Sequence, residues 1–369
     1  MIDPIIGLAL RRPALILLLS AVILGLGIHH YRQLPVDAFP DTSPVLVPIF
    51  AEAHGFAPEE MERLVSFPIE TAMNGLPGVT RIKSTSAFGM AVIYVYFADD
   101  VDIYFARQVV SERLAAVSNQ LPELDTAPAI GPISTGLGQI FLYYLQADPA
   151  IVDCGDKPLD LWLRELNDWV VKYQLQSVPG VTDILAIGGH VLQYQVLVDP
   201  RRLDAHGLGM DDVVTALQTN NRNVGAQFVV MGQEEHLVRG LGLLATLDDL
   251  RQLPLRHDGA SSLSLGDIAD VRYGPELRRG VVTVNGEREV VSGLVLKLYG
   301  ANTSEVIARL HERVVSVQAT LPAGVTLVPY YDQSELVSNA TGTIKKALLQ
   351  GALLVIAVLI LFLGNWRAA

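Results

Sequence analysis

One cysteine, Cys154, is the whole thiol content of the 369 residues, so the chain can hold no internal disulfide and no C-x-x-C pair for a thiolate metal or redox centre. Charge is also sparse at 18%, and acidic side chains outnumber basic ones 39 to 27, for a net charge of -12. That sign disfavours nucleic acid, whose binding needs a basic surface, and suits a soluble portion that draws cations weakly or merely stays dissolved. The sequence has no phosphate loop, no nucleophile elbow and no H-E-x-x-H helix. Gly136-Leu137-Gly138 and Gly240-Leu241-Gly242 lack the rest of a dinucleotide fingerprint. The expectation is a protein that is not an enzyme. No catalytic, cofactor-binding or metal-ligating residue is assigned, and no cofactor.

What is abundant is apolar character: half the residues are hydrophobic and the mean hydropathy is +0.34. The excess sits at the two ends, around a middle with ordinary globular patterning. The first run, residues 13–28, is short for a bilayer of about 30 Å and needs 5–10 or the interfacial His29, His30 and Tyr31 to span it. A secretory signal peptide is the alternative, since Arg11 and Arg12 precede the run. His29-His30-Tyr31-Arg32-Gln33 stands where small residues suited to cleavage would be, which favours a retained anchor. The second run, 347–363, has Gln350 but no charge, follows Lys345 and Lys346, and ends at Gly364-Asn365-Trp366-Arg367. Two spans follow. Arg11 and Arg12 hold the N-terminus in the cytoplasm by the positive-inside rule, and the middle is exported. Neither run carries the Asp or Glu that an intramembrane proton relay would use. The stop at Ala368-Ala369, straight after a span, reads as a fragment.

The middle repeats itself. A strand over 45–53 precedes a helix over 58–74, opened by Pro58 with Glu59, Glu60 and Glu62 and stopped by Gly75. After Leu76-Pro77-Gly78-Val79 come a strand to Ser86, a break at Gly89 and a strand over 90–97. A helix from Asp102 carries Ile103, Ala106, Val110, Leu114, Val117 and Leu121 on one stripe, and a strand over 127–133 closes the unit. The order is βαββαβ, a ferredoxin-like sandwich. A second copy has a strand over 140–146, a helix over 160–177, the same punctuation in Val178-Pro179-Gly180-Val181, and strands over 182–187 and 191–198. Its second half waits until a strand over 289–298, a helix over 303–321 and a strand over 324–331, so a domain with its own helix over 210–219 is inserted.

Ligand-type side chains are scattered. Met1, Met61, Met73, Met90, Met210 and Met231 form no cluster for a soft ion, and Met61 and Met73 read as core of the first helix. His54, His190, His206, His236, His257 and His311 lack short ligand spacing, and His29 and His30 belong to the membrane interface. Asp99-Asp100 and Asp211-Asp212 are a turn and a helix N-terminus first, and a cation entrance second.

Several segments together resemble resistance-nodulation-division (RND) efflux permeases, and within them the heavy-metal, CzcA/CusA-like branch. They are Leu34-Pro35-Val36-Asp37-Ala38-Phe39-Pro40-Asp41, 58–79, 102–110, Gly131-Pro132-Ile133-Ser134-Thr135-Gly136-Leu137-Gly138, Asn220-Asn221-Arg222-Asn223-Val224-Gly225 and Tyr331-Asp332-Gln333-Ser334-Glu335-Leu336-Val337. Asp37 and Asp41 point to the metal branch, since drug-exporting relatives are usually Asp-poor there. The resemblance implies an α+β membrane protein in which two transmembrane helices flank two ferredoxin-like periplasmic pore subdomains, the second carrying an inserted docking subdomain. The division is 1–34 for the cytoplasmic N-terminus and first span, 35–138 for the first pore subdomain, and 139–199 with 275–332 for the second. The insertion is 200–274, the linker and second span 333–364, and 365–369 starts a cytoplasmic loop. It further implies an inner-membrane homotrimer that exchanges protons for zinc, cobalt, cadmium, nickel, copper or silver ions, with a periplasmic adaptor and an outer-membrane channel as partners. The family's metal-binding methionines and proton-relay carboxylates lie in regions not found here, so none is carried over. A drug or organic-solute exporter of the same superfamily and a two-span periplasmic binding or sensor module are the alternatives.

Overall fold

In the computed structural model, which describes residues 13–33, 43–232, 234–258, 261–277 and 280–363, the chain opens with a helix over Pro13–Gln33. The segment 34–42, with Asp37 and Asp41, lies outside the described residues. Strand β1, Leu46–Glu52, buries Val47, Ile49 and Ala51 on one face by simple alternation. The following helix starts with Pro58 in its first turn and with Glu60 accepting the Ala57 amide at 3.0 Å. It buries Met61, Val65, Ile69 and Met73, one residue per turn. Between Pro58–Met61 and Phe67–Met73 the helix widens into a π turn, Glu62–Ser66. Pro68 supplies the reason: it has no amide to donate and its ring crowds the carbonyl four residues back, so the preceding turn opens.

Strands β2, Val79–Ala87, and β3, Met90–Phe97, form a hairpin, and the helix Ile103–Ser118 follows, capped by the Asp102 carboxylate accepting from the amides of Tyr104 and Phe105. Of the expected stripe, Ala106, Val110, Leu114 and Val117 are buried, while Ile103 and Leu121 pack half-buried against the same core. Strand β4, Thr126–Ile130, pairs with β1 and completes an antiparallel sheet of order β2-β3-β1-β4. Both helices cover one face, and the core lies between.

The second unit repeats this with strand β5, Gln139–Ala147, a helix over Leu159–Leu166, Asn167–Val171 and Lys172–Gln176 with a π turn in the middle piece, and strand β6, Val181–Ile187. Here the structure corrects the sequence reading. Strand β7, Leu192–Val198, does not join the second sandwich. Gly188 and Gly189, at φ of 79° and 63°, turn the chain away after β6, and β7 pairs far ahead with β12, Ala269–Pro275, introduced below. Its Val196 and Val198 pack against a separate small core with Val213, Leu250, Leu265, Ile268 and Val271. The inserted portion therefore takes in β7 as well as the residues after 199.

Within that portion come helices Pro200–Ala205 and Met210–Asn220 and a hairpin of β8, Val224–Met231, and β9, Glu234–Gly240. The helix Leu247–Arg251 precedes a second hairpin, β10, Pro254–Asp258, and β11, Ser261–Ser264, then the helix Leu265–Ile268 and β12 itself. A short pair, β13, Thr283–Val284, and β14, Arg288–Glu289, leads back to the sandwich. There β15, Val291–Lys297, the helix Thr303–Thr320 and β16, Val325–Asp332, complete a sheet of order β16-β5-β15-β6, the arrangement of the first sheet.

The stretch expected as a linker before the second apolar run is helical throughout: Gln333–Leu363 is one helix of 31 residues, with Asp332 accepting the Ser334 amide at 2.8 Å. Thr341 and Thr343 do not break it, because they return their hydroxyls to carbonyls one turn back. Among the described residues this helix alone, over Gln333–Phe362, is long and apolar enough to cross a membrane, and the apolar part of the first helix, Leu18–Gly27, is shorter.

Candidate functional site

The structure disperses the ligand-type side chains as the sequence does. Met61 and Met73 are fully buried in the first core, Met90 is half-buried and Met210 is exposed at its helix start. Met231 ends β8 and His257 lies in β10, and Met1 is outside the described residues. Asp99 and Asp100 form an exposed turn after β3, while Asp211 and Asp212 occupy the first turn of Met210–Asn220, where Asp212 accepts the Gly209 amide at 2.7 Å. Cys154 is a half-buried free thiol. His29 and His30 stack edge to face on the first helix, and His206 follows the end of Pro200–Ala205.

The remaining histidines meet carboxylates. His54 pairs with Asp125, His190 with Asp160, His311 with Asp332 and, at 3.6 Å, His236 with Glu234. Among the described residues no group of three or more His, Cys, Asp or Glu side chains could hold a metal ion. Three of these pairs tie one element to another, while His236 and Glu234 share β9, and each pair offers two donors at most, where a closed cation site wants four or more.

One of the pairs, that of His54, borders a further feature. A cleft of about 470 Å³ opens between the sandwiches, lined by Glu52 and His54 from the first and by Arg164, Gly188, Gly189 and Val191 from the second, with Glu276 beside them. Arg164 is held there by Asp168 at 2.7 Å and by the Gly188 carbonyl at 2.8 Å. Such a lining is polar and offers single carboxylates in place of a coordination sphere.

Behind Arg164 runs a polar chain that the sequence reading passed over. Asp168 accepts from the Asn167 side-chain amide at 3.1 Å, and Asn167, fully buried, accepts the Tyr143 hydroxyl at 2.9 Å. Burial, then the negative charge of Asp168, pushes the Tyr143 phenol well up from its usual range. The first sandwich has a smaller counterpart, buried Ser66 against Ser86 at 2.8 Å, and in both units the buried polar residue sits in the π turn. A signal existed: Leu163, Asn167, Val171 and Leu175 form one buried stripe with a single polar member.

The Asp125 carboxyl is lowered from its usual value, because the His54 backbone amide and then its ring donate to it. A depressed acid stabilises the fold above its unfolded value of 3.8 and loses that contribution as pH falls through the lower folded value. Urea unfolding of the chain in detergent should therefore show an acid-labile component confined below about pH 4, absent in Asp125→Asn. An unchanged acid limb in that variant would remove the tie from the account.

Residues 5–369 match the AcrB/AcrD/AcrF family, and the chain belongs to it. Within that family it is similar to heavy-metal efflux pumps. The chain is 44% identical over 372 residues to the cation efflux system protein CzcA of Alcaligenes sp. and to the cobalt-zinc-cadmium resistance protein CzcA of Cupriavidus metallidurans, covering 100% of this chain and 35% of each relative. It is 36% identical over 356 residues to the cation efflux system protein CusA of Escherichia coli, covering 96% of this chain and 33% of that protein. A crystal structure of a heavy metal efflux pump superposes with a TM-score of 0.88 at 31% identity, over 99% of this chain and 36% of that one. The chain thus spans about a third of the length of the relatives it matches.

Proposed function

We propose that this chain is part of an inner-membrane, proton-driven exporter of heavy-metal cations, and that it contributes two membrane-spanning helices and the first periplasmic half, without enzymatic activity. The observation that carries the proposal is identity of 44% along the whole chain to a cobalt-zinc-cadmium resistance protein. In this reading the apolar helices Pro13–Gln33 and Gln333–Leu363 lie in the bilayer, and the two sandwiches and the inserted portion face the periplasm. The exported ions are divalent cations such as zinc, cobalt and cadmium, which accept imidazole and carboxylate donors. The assembly is a homotrimer, with the inserted portion docking on neighbouring subunits or on an outer-membrane channel, and with a periplasmic adaptor. Net charge of -12 supports a surface that gathers cations.

The test is growth. The reading frame that encodes this chain, expressed in a metal-sensitive, efflux-deficient host, should restore tolerance to zinc, cobalt or cadmium and leave sensitivity to an amphiphilic drug unchanged. Restored drug tolerance without metal tolerance would replace the proposal by organic-solute export.

A further inference from the structure

The long helix Gln333–Leu363 is seated on the second sandwich by its first turns alone. Gln333 and Val337 are buried, and among the described residues nothing after Val337 is. Whatever links the sandwich to the apolar part of that helix therefore passes through its root.

Asp332 stands at the root with both oxygens committed. Its Oδ1 accepts the Ser334 amide at 2.8 Å and so caps the helix, and its Oδ2 lies 2.6 Å from Nε2 of His311 on the helix Thr303–Thr320. The imidazole meets Phe141 edge to face, with ring centroids 5.9 Å apart, and Phe141 is the buried residue opposite Asp332 across β5 and β16. One carboxylate therefore joins a helix of the sandwich to the first turn of the long helix. With 53% of its side chain exposed the imidazole exchanges protons with solvent, while Asp332, at 15%, is sheltered enough to keep the pair from full screening.

Protonation changes this contact in one direction. An imidazolium donates a charge-assisted bond to the carboxylate, whereas a neutral ring either donates an uncharged bond or turns a lone pair toward it. The pair is thus complete when the ring carries its proton, and part of it is lost as pH rises through the range in which imidazoles titrate.

No other group blurs that response. The elements packed against Thr303–Thr320 are the root helix, β16, β5 and Lys172–Gln176. Their ionisable groups are Glu335, then Lys345 and Lys346 about 20 Å beyond Asp332 along the helix, Tyr330 and Tyr331, Tyr143 and Tyr144, and Lys172 and Tyr173. On its own helix stand Glu305, Arg309, Glu312 and Arg313, whereas the positions one turn from His311 are Ile307, Ala308, Val314 and Val315. Among the described residues none of these groups forms a hydrogen bond or ion pair with the imidazole. Between about pH 5.5 and about pH 8 carboxylates, phenols and ammonium groups as classes keep their charge, and imidazole changes it.

We infer that His311 and Asp332 form a pH-sensitive joint, which holds the root of the long helix to the second sandwich more tightly in mild acid than in mild base. The joint stands on the contacts alone. Only the compartment whose acidity it reads, the periplasm, rests on the transport reading.

The experiment is amide hydrogen exchange of the full chain in non-ionic detergent at about pH 5.5 and about pH 8, with each rate divided by the intrinsic rate at its pH and read by mass spectrometry. Peptides covering 334–341 should be about threefold more protected at the lower pH, as a partly exposed ion pair requires, and those of Ile103–Ser118 equally protected at both. His311→Gln keeps a donor without a charge, and Asp332→Asn keeps an oxygen for the Ser334 amide. Each should remove the difference at 334–341 while the far-ultraviolet circular dichroism stays unchanged. The wild-type chain carries a check that needs no folded variant: the midpoint of the change in protection should coincide with that of the His311 imidazole, followed by nuclear magnetic resonance of ring-labelled histidine. Equal protection at both pH values, greater protection at the higher one, midpoints that differ, or a difference that survives His311→Gln would overturn the inference. None of these readouts requires metal transport, so a failed growth test leaves them standing.

Discussion

Gly293→Ala is expected to lower the stability of the second sandwich by about 3 kcal/mol, a shift of roughly 6–12 °C in thermal midpoint. Gly293 lies on β15 directly opposite Tyr143, whose ring covers the glycine. A Cβ at that position would stand 2.2 Å from the ring's Cζ and 2.4 Å from its hydroxyl oxygen. The ring cannot swing aside cheaply, because it is fully buried and its hydroxyl is committed to Asn167. In the first sandwich the opposed strands bury Ile49 against Ile93, two medium side chains where the second uses one large and none. Gly136→Ala, with nothing within 4 Å of the added carbon, is the control and should leave the midpoint unchanged. The measurement is a melt of each variant in detergent followed by near-ultraviolet circular dichroism. Equal midpoints for Gly293→Ala and the control would show that the ring has room to retreat.

The second large effect belongs to the buried pair. Asn167→Leu keeps the volume but leaves the Tyr143 hydroxyl without an acceptor in the core, at a cost of about 1–3 kcal/mol. Tyr143→Phe alone leaves the Asn167 Oδ1 without its donor, while the Nδ2 keeps its bond to Asp168. The double variant should recover much of the loss, since two apolar side chains of similar shape replace a satisfied pair. A pH signature accompanies it. The Tyr143 phenol is raised from 10.0 by burial, then by Asp168, so its neutral form is the folded one. Its contribution is complete below pH 10.0 and is lost as pH rises toward the folded value. Tyr143→Phe should remove that alkaline loss. Additive single effects in the double variant, with the alkaline limb intact, would mean that the two residues do not act together.

Local order was readable where burial imposes a period. The stripe Ala106, Val110, Leu114, Val117 and the alternation Ala91, Ile93, Val95, Phe97 announced a helix and a strand before any coordinates. Asp102 announced where one helix begins, because its side chain accepts amides of the first turn, and Asn302 caps Thr303–Thr320 in the same way. Pro77-Gly78 and Pro179-Gly180 marked equivalent turns, with Gly78 and Gly180 at φ of 81° and 95°, and so exposed the duplication. Less was legible at the sites. The histidines showed no ligand spacing along the chain, yet four of them meet carboxylates, and His54 finds Asp125 from 71 residues away.

The sequence by itself determined the two apolar helices and the repeated βαββαβ order, since each depends on residues close together. Only the tertiary structure decided that β7 leaves the second sandwich for β12, that Gly293 makes room for Tyr143, and that Tyr96 closes a cavity shared with Tyr299. The physical reason is the same in each case. Periodicity reports that a face is buried, but which edge or side chain buries it is settled by competition among distant segments for hydrogen bonds and space.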